Sequence, residues 1–329
     1  MFILLVLLNP FLLDPIFDDP ESETTLQHLE SSISDAKIPQ KINNIFSFEQ
    51  QKFALSDEAT DVMRNHFMGR LIAGANLKFT GPKREKRVVK INKGGDRCVV
   101  CYLDLCGRRN PDLIELIRRQ LEWTGFNGHF YYRIGGFPAP HHYELKYAAT
   151  PYSFKIFLME EAHLLGFSKV LWIDSRMIPI RSIEPLFDKL KRKRCFFLKG
   201  SRMCHPNFLS LAIENLNKTL HIHPLNYTGI ATGVFGLDFA YPPTRQFIQD
   251  YYTCAENGFC FLSVFPEESV VASILAKYPS KFSFINNKNI WTFDNVEHEP
   301  KLLKKAKNLG YYFFGVGDKS QHTLHLLAL

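Results

Sequence analysis

From residue 96 onward, short apolar runs alternate with longer segments in which apolar residues recur every three or four positions. The apolar runs predict buried strands at residues 99–105, 129–134, 169–173 and 195–199. The segments between them predict helices at residues 112–124, 151–165 and 183–192. Pro111 and Pro151 stand where a helix accepts proline, at its first turn. This alternation predicts an α/β fold, a mostly parallel sheet with helices on both faces.

The first 95 residues have a different pattern. Residues 2–13 are apolar, but the run is too short to span a bilayer and Asn9-Pro10 interrupts it. Residues 14–44 are acidic and predict a linker, and residues 56–77 predict an amphipathic helix before a basic stretch. We therefore divide the chain into a short apolar segment (1–20), an acidic linker with a basic helical extension (21–95), and a main domain (96–329).

Composition and charge narrow the function classes. The chain of 329 residues is 46% hydrophobic and 22% charged, which excludes a disordered protein. Its net charge of +7 suits an anionic ligand or a membrane surface. The sequence has no basic motif interleaved with aromatic residues, so we do not expect a nucleic-acid partner. Cys98 and Cys101 fall on opposite faces of the first strand and cannot share one metal ion, so we expect buried reduced thiols.

Ligands of such sheets bind at the carboxyl ends of the strands. Asp104 follows the first predicted strand, Arg133 lies at the end of the second, and the turn of residues 174–176 (Asp-Ser-Arg) follows the third. We expect these three positions to lie along one edge of the sheet.

The segment 151–187 places Lys155 on a helix, then an apolar strand ending in Asp174-Ser-Arg176, then a new helix start. It resembles the GT-A type of nucleotide-sugar glycosyltransferases, in particular the group that includes glycogenin and the lipopolysaccharide galactosyltransferases. In that family the strand ends in Asp-x-Asp. Residues 227–238 are similar to its Gly-x-x-Gly-x-Asp strand, and residues 265–275 to the acidic element that opens a helix. The resemblance covers about residues 96–316.

The resemblance implies a hexosyltransferase whose co-substrate is a nucleoside diphosphate sugar and whose acceptor is a glycan, lipid or protein. It implies that Asp174 contacts the donor, while Arg176 and Lys155 neutralise the diphosphate. Glu267 or Glu268 would orient the acceptor or act as base. We also include in the donor and acceptor pocket the following residues: Asp104, Arg133, Thr232, Gly233 and Asp238.

The chain departs from the family where Arg176 replaces the second Asp of the acidic motif. One interpretation is that Arg176 itself neutralises the diphosphate, which makes the site metal-independent. A second is a catalytically inactive binding protein. A third is a divalent Mn or Mg ion held by Asp174, with His322 as a loose echo of the family's C-terminal metal ligand.

Structural alternatives stand beside these roles. Lys155 could extend from an apolar helix to solvent, Arg176 could pair with Glu184, and Asp238 could only begin the following turn. A basic membrane-surface protein is the remaining functional alternative. The expected location is the cytoplasm or the cytoplasmic face of a membrane, with the secretory lumen as an alternative.

Overall fold

The computed structural model describes residues 85–103, 112–147, 150, 152–203, 210–222, 228–263, 265–286, 290–293 and 300–316. The apolar segment, the acidic linker and the predicted helix at 56–77 lie outside the described residues, as do Asp104 and His322. In the part of the chain described here, no helix combines the length and the apolar character needed to cross a bilayer.

The chain forms ten strands within the described ranges: β1 (Glu85–Ile91), β2 (Arg97–Leu103), β3 (Gly128–Ile134), β4 (Lys169–Ile173), β5 (Met177–Pro179), β6 (Cys195–Met203), β7 (Thr228–Asp238), β8 (Phe284–Asn286), β9 (Trp291–Phe293) and β10 (Phe313–Gly315). Seven of them make one sheet in the order β1-β3-β2-β4-β7-β6-β8. Strand β2 is parallel to β3 and β4, and β6 is parallel to β8, whereas β1 and β7 run antiparallel to their neighbours. The predicted α/β class with a mostly parallel sheet is confirmed.

Strand β1 corrects one prediction. Residues 85–91 were assigned to the basic extension, but they pair antiparallel with β3 along their whole length and form one edge of the sheet. Lys86, Arg87 and Lys90 are exposed on this strand. Charged side chains are common on edge strands because they discourage pairing with another chain. The basic pattern therefore belongs to a sheet edge.

The remaining strands form a small second sheet. Strand β10 pairs parallel with β9 and antiparallel with β5. Because β5 begins three residues after Asp174, this pairing brings residues 313–316 next to the turn that follows β4.

The helices are α1 (Asp112–Trp123), α2 (Phe154–Leu164), α3 (Glu184–Lys193), α4 (Ser210–Leu220), α5 (Pro242–Asn257), α6 (Pro266–Lys277) and α7 (Pro300–Asn308), with 3-10 turns at Glu144–Tyr147 and Phe259–Phe261. Helices α2, α4, α5 and α6 pack on one face of the main sheet and form a hydrophobic core with it. Helices α1, α3 and α7 pack on the other face and form a second core. Cys98 lies in the first core and Cys101 in the second, so the expected opposite facing of these buried thiols is confirmed.

Helix α2 begins later than its sequence predicted. Tyr152 has a φ of 58°, in the left-handed region, and the helix starts at Phe154 rather than at residue 151. A right-handed helix cannot continue through a residue in that conformation, which sets the start of α2 just before Lys155.

Candidate functional site

A buried lysine of α2 gathers side chains from three other elements where β4 and β7 meet. Lys155 is 4% exposed. Its Nζ donates to Oε1 of Glu267 at 2.7 Å and lies 3.1 Å from Oδ1 of Asp174. It also lies 3.2 Å from Oγ1 and 3.4 Å from the carbonyl oxygen of Thr232. Thr232 in turn donates its hydroxyl to Oε1 of Glu267 at 2.8 Å. We refer to Lys155, Asp174, Thr232, Glu267 and Glu268 as the carboxylate cluster.

The fold explains why these residues meet. Asp174 is the first residue beyond β4, and its amide donates to the carbonyl of Gly233 on β7 at 2.9 Å. Lys155 lies in the first turn of α2, and Glu267 in the first turn of α6. A Cβ on Gly233 would lie 2.9 Å from Cε of Met177, so glycine permits the close approach of β7 to the turn.

Asp174 has one engaged and one available carboxylate oxygen. Oδ1 accepts the indole N–H of Trp172 at 2.8 Å and faces the ammonium of Lys155. Among the described residues, nothing donates a hydrogen bond to Oδ2, and the side chain is 26% exposed. Oδ2 is therefore free to accept a hydroxyl group from a ligand.

The charges within the cluster differ in their environments. Burial by itself would lower the pKa of Lys155, but the carboxylates of Asp174 and Glu267 outweigh it and the pKa is raised, so the ammonium stays charged. Burial, reinforced by the charge of Glu267, raises the pKa of Glu268 to about 7. Glu268 is half-buried and accepts the amide N–H of Thr232 at 3.2 Å. Glu267 is thus held in an ion pair, whereas Glu268 titrates near neutral pH.

Arg176 lies in the turn directly after Asp174. It is half-buried, and its carbonyl accepts the amide N–H of Val316 at 3.0 Å, which ties the turn to the chain beyond β10. The alternative that Arg176 pairs with Glu184 is wrong. Glu184 instead binds the guanidinium of Arg97 and accepts the amide N–H of Asn127.

One predicted pocket residue, Asp238, lies away from the carboxylate cluster. Asp238 pairs with Lys169, the first residue of β4. It therefore lies at the opposite end of β4 from Asp174. It forms an ion pair with Arg194 at 3.2 Å and accepts the amide N–H of Ala240 at 3.0 Å. The prediction that Asp238 lines the pocket is wrong because β7 is antiparallel, and the turn alternative describes its contacts.

Arg133 also has a structural partner. Its guanidinium donates to Glu161 of α2 at 2.8 and 3.0 Å, and Tyr131 donates to the same carboxylate. Glu161 further accepts the amide N–H of Ala139 at 3.0 Å. These contacts fix α2 against β3. Arg133 therefore has a structural role and does not join the carboxylate cluster.

The expectation that Lys155 extends to solvent is wrong, since it is buried with four acceptors around its Nζ. An ammonium has three protons to donate, and the cluster engages them. Lys155 therefore organises Asp174 and Glu267.

Within the described ranges, the donor set at this edge does not fit a divalent metal. The described residues contain no group of three His, Cys, Asp or Glu side chains that could hold one. Oδ1 of Asp174 also faces an ammonium, and a cationic neighbour opposes a metal ion at that oxygen.

Solved glycosyltransferases are similar to this chain. The galactosyltransferase LgtC in complex with donor and acceptor sugar analogues, and an active-site mutant of LgtC, each have 10% sequence identity and a TM-score of 0.37; they cover 70% of this chain and 95% of their own. The bifunctional glycosyltransferase WbbM in its apo form has 13% identity and a TM-score of 0.38, covering 69% of this chain and 46% of its own. No protein-family model and no curated sequence matches the chain.

Proposed function

We propose that the chain is a glycosyltransferase that moves a sugar from a nucleoside diphosphate donor to a hydroxyl group of a glycan, lipid or protein. The observation that carries this proposal is the carboxylate cluster at the carboxyl edge of the parallel strands. There, an available oxygen of Asp174 and a glutamate with a pKa of about 7 lie around one buried ammonium. Perturbed carboxylates at this edge are typical of ligand and catalytic sites.

Asp174 and Arg176 are the donor-binding residues of this proposal. Oδ2 of Asp174 accepts a hydroxyl of the donor's ribose or sugar, while Trp172 and Lys155 fix the other oxygen. Arg176, two residues later, supplies the positive charge for the diphosphate leaving group through paired N–H donors. A fixed guanidinium that stabilises charge developing on a leaving group typically contributes about 10²–10³ in rate.

Glu268 is the base of this proposal. As the acceptor oxygen forms its bond to the anomeric carbon, the bond from that carbon to the diphosphate breaks and its electron pair leaves with the nucleoside diphosphate. The acceptor's proton passes to the carboxylate of Glu268. A pKa near 7 suits this transfer at neutral pH. Lys155 has a positioning role, since it holds Asp174 and Glu267 and is buried beneath them.

The test is turnover of a panel of nucleoside diphosphate sugars by the full chain, read as donor hydrolysis and as transfer to hydroxyl acceptors. Arg176→Ala should lower kcat about 10²–10³-fold, and Arg176→Lys should recover part of it. Arg192→Ala is the matched control, because Arg192 is an exposed arginine of α3.

Two further conditions complete the test. Added Mn²⁺ and added chelator should leave wild-type turnover unchanged if Arg176 serves the diphosphate. Binding of a donor without any turnover would instead identify a non-catalytic relative. A loss of activity with chelator would reject metal independence. Co-sedimentation with anionic vesicles separately tests the alternative of a basic membrane-surface protein.

A further inference from the structure

A cleft lies between α2, α5 and the segment that includes the first 3-10 turn. Its volume is about 580 Å³, and it is open to solvent. Glu160 contributes from α2, and Arg245, Gln249 and Tyr252 contribute from α5. Cavities of several hundred Å³ with a few convergent polar groups are the usual size of small-ligand sites.

This cleft is separate from the carboxylate cluster. Glu160 follows Lys155 by five residues on α2, which places it about 140° around the helix axis and about 7.5 Å along it. Lys155 faces the sheet, whereas Glu160 faces α5, where it accepts the hydroxyl of Tyr252. A ligand in the cleft therefore contacts other side chains than the proposed donor site does.

One wall of the cleft is aromatic and exposed. Tyr143 is 46% exposed, and its ring lies nearly parallel to that of His141, with 6.0 Å between the ring centroids. The ring of Tyr252 lies 6.2 Å from that of Tyr143. An exposed ring next to other aromatic rings offers a rigid apolar face to a ligand.

Two carboxylates at the wall of the cleft share one hydroxyl donor. The hydroxyl of Tyr252 lies 2.7 Å from Glu144 and 2.7 Å from Glu160, but it has one proton and can donate to one carboxylate at a time. Glu144 is fully buried, so of these two carboxylates Glu160 is the one that faces the cleft. Its Oε2 can accept a hydrogen bond from a ligand when Tyr252 donates to Glu144.

Donors and acceptors stand opposite this carboxylate on α5. Arg245 and Gln249 are exposed and lie four residues apart, on the same face of the helix. Glu256 lies at the far end of the same face. The cleft thus presents a guanidinium, a carboxamide and carboxylates together with an aromatic face.

We propose that this cleft binds a neutral oligosaccharide. A sugar ring has an apolar C–H face that packs on an aromatic ring, and its hydroxyls donate to carboxylates while accepting from guanidinium and amide groups. A cationic ligand would meet Arg245, and an anionic ligand would meet Glu160 and Glu256. A neutral ligand rich in hydroxyls suits all of these groups. This site does not depend on the catalytic roles proposed above.

The test is a titration of the full chain with neutral oligosaccharides of glucose, galactose, mannose and N-acetylglucosamine. Saturation-transfer NMR detects binding and calorimetry measures Kd. Tyr143→Ala should weaken the Kd of the bound sugar about tenfold, or about 1.4 kcal/mol. Gln249→Ala should weaken it in the same direction. Thermal unfolding of each variant verifies its fold, and Gln249→Ala keeps the test valid if Tyr143→Ala is unstable.

Two control variants separate this site from others. Trp123→Ala removes an aromatic ring on α1 that is more exposed than Tyr143 and lies on the other face of the sheet, and it should leave Kd unchanged. Asp174→Asn should also leave it unchanged, which distinguishes the cleft from the donor site. The proposal is overturned if no sugar of the panel binds, or if Tyr143→Ala and Gln249→Ala leave Kd unchanged. Binding of tetramethylammonium in place of the sugars would also overturn it, because the cleft would then be a cation site.

Discussion

Replacing Lys155 by methionine tests the organisation of the carboxylate cluster most directly. Methionine keeps most of the volume of the buried side chain but removes the ammonium that lies 2.7 Å from Glu267 and 3.1 Å from Asp174. Both carboxylates then lose their compensating charge, and Thr232 loses a donor. We expect the variant to fold with lower stability, and to lose activity because Asp174 is no longer held in place.

The magnitude follows from the burial of the pair. Lys155 and Glu267 have side-chain exposures of 5% and 9%. Breaking a buried ion pair by removing one partner costs about 3–5 kcal/mol, because an uncompensated charge remains in the interior. For a domain of this size that loss corresponds to a fall in Tm of about 10 °C.

The assay is equilibrium unfolding in urea across a range of pH. The loss should be larger at pH 8 than at pH 5, because Glu268, whose pKa is about 7, adds its negative charge to the unpaired cluster only at the higher pH. The double variant Lys155→Met with Glu267→Gln should be more stable than Lys155→Met alone, since fewer charges are left unpaired.

The matched control is Lys169→Met. Lys169 pairs with Asp96, which is 63% exposed, so its removal should cost less than about 1 kcal/mol. If Lys155→Met is no more destabilising than Lys169→Met, Lys155 does not organise the cluster and the proposed positioning role fails.

Three further predictions concern individual residues. For Glu268, kcat/KM should rise with pH through an inflection near 7, and Glu268→Gln should abolish this rise along with most activity. Because the pKa of Glu268 is raised, the native state binds the proton of Glu268 more tightly than the unfolded state does. The free energy of unfolding therefore falls as pH rises from about 4.5 to about 7. Glu268→Gln should be more stable than wild type at pH 8, as measured by urea unfolding. Asp238→Asn should cost about 1–2 kcal/mol of stability and leave kcat unchanged, whereas Asp174→Asn should lower kcat. Gly233→Ala should displace Met177 and cost about 1–3 kcal/mol, and unchanged stability would show that β7 has spare room there.

The buried strands were predictable because a strand covered on both faces consists of a continuous apolar run. Strand β4 has the predicted bounds, and β2 and β3 begin one or two residues earlier than expected. Strand β1 was not predictable in this way. As an edge strand it carries exposed Lys86, Arg87 and Lys90, and its sequence resembles a basic linker more than a sheet element.

The site was predictable as far as it depends on strand ends and helix starts. Asp174, Thr232 and Glu267 meet as expected, because β4, β7 and α6 all place these residues at one edge. The direction of β7 was the missing information. An antiparallel strand begins at that edge and ends at the other, so Asp238 was assigned to the wrong side. A hydrophobic pattern is the same for both strand directions.

The inward orientation of Lys155 was also beyond the sequence pattern. Its neighbours Phe154, Ile156 and Phe157 are buried, so α2 has no apolar stripe that would mark position 155 as facing the sheet.

The contact between Trp172 and Asp174 was predictable from their spacing in the sequence. Trp172 precedes Asp174 by two residues, so the two side chains leave the chain on the same side.

Charge balance gives a final test of the role of Arg176. The carboxylate cluster holds three carboxylates against one ammonium, so its charge is negative. Arginine at position 176 is positive where an aspartate would be negative, so the two differ by two charge units, which equals the charge of a divalent ion. Arg176→Asp should therefore create a need for such an ion: Mn²⁺ should raise the Tm of this variant and leave that of the wild type unchanged. Arg176→Ala, with neither charge, should respond less than Arg176→Asp. An equal response of wild type and Arg176→Asp would show that Arg176 does not stand in place of a metal.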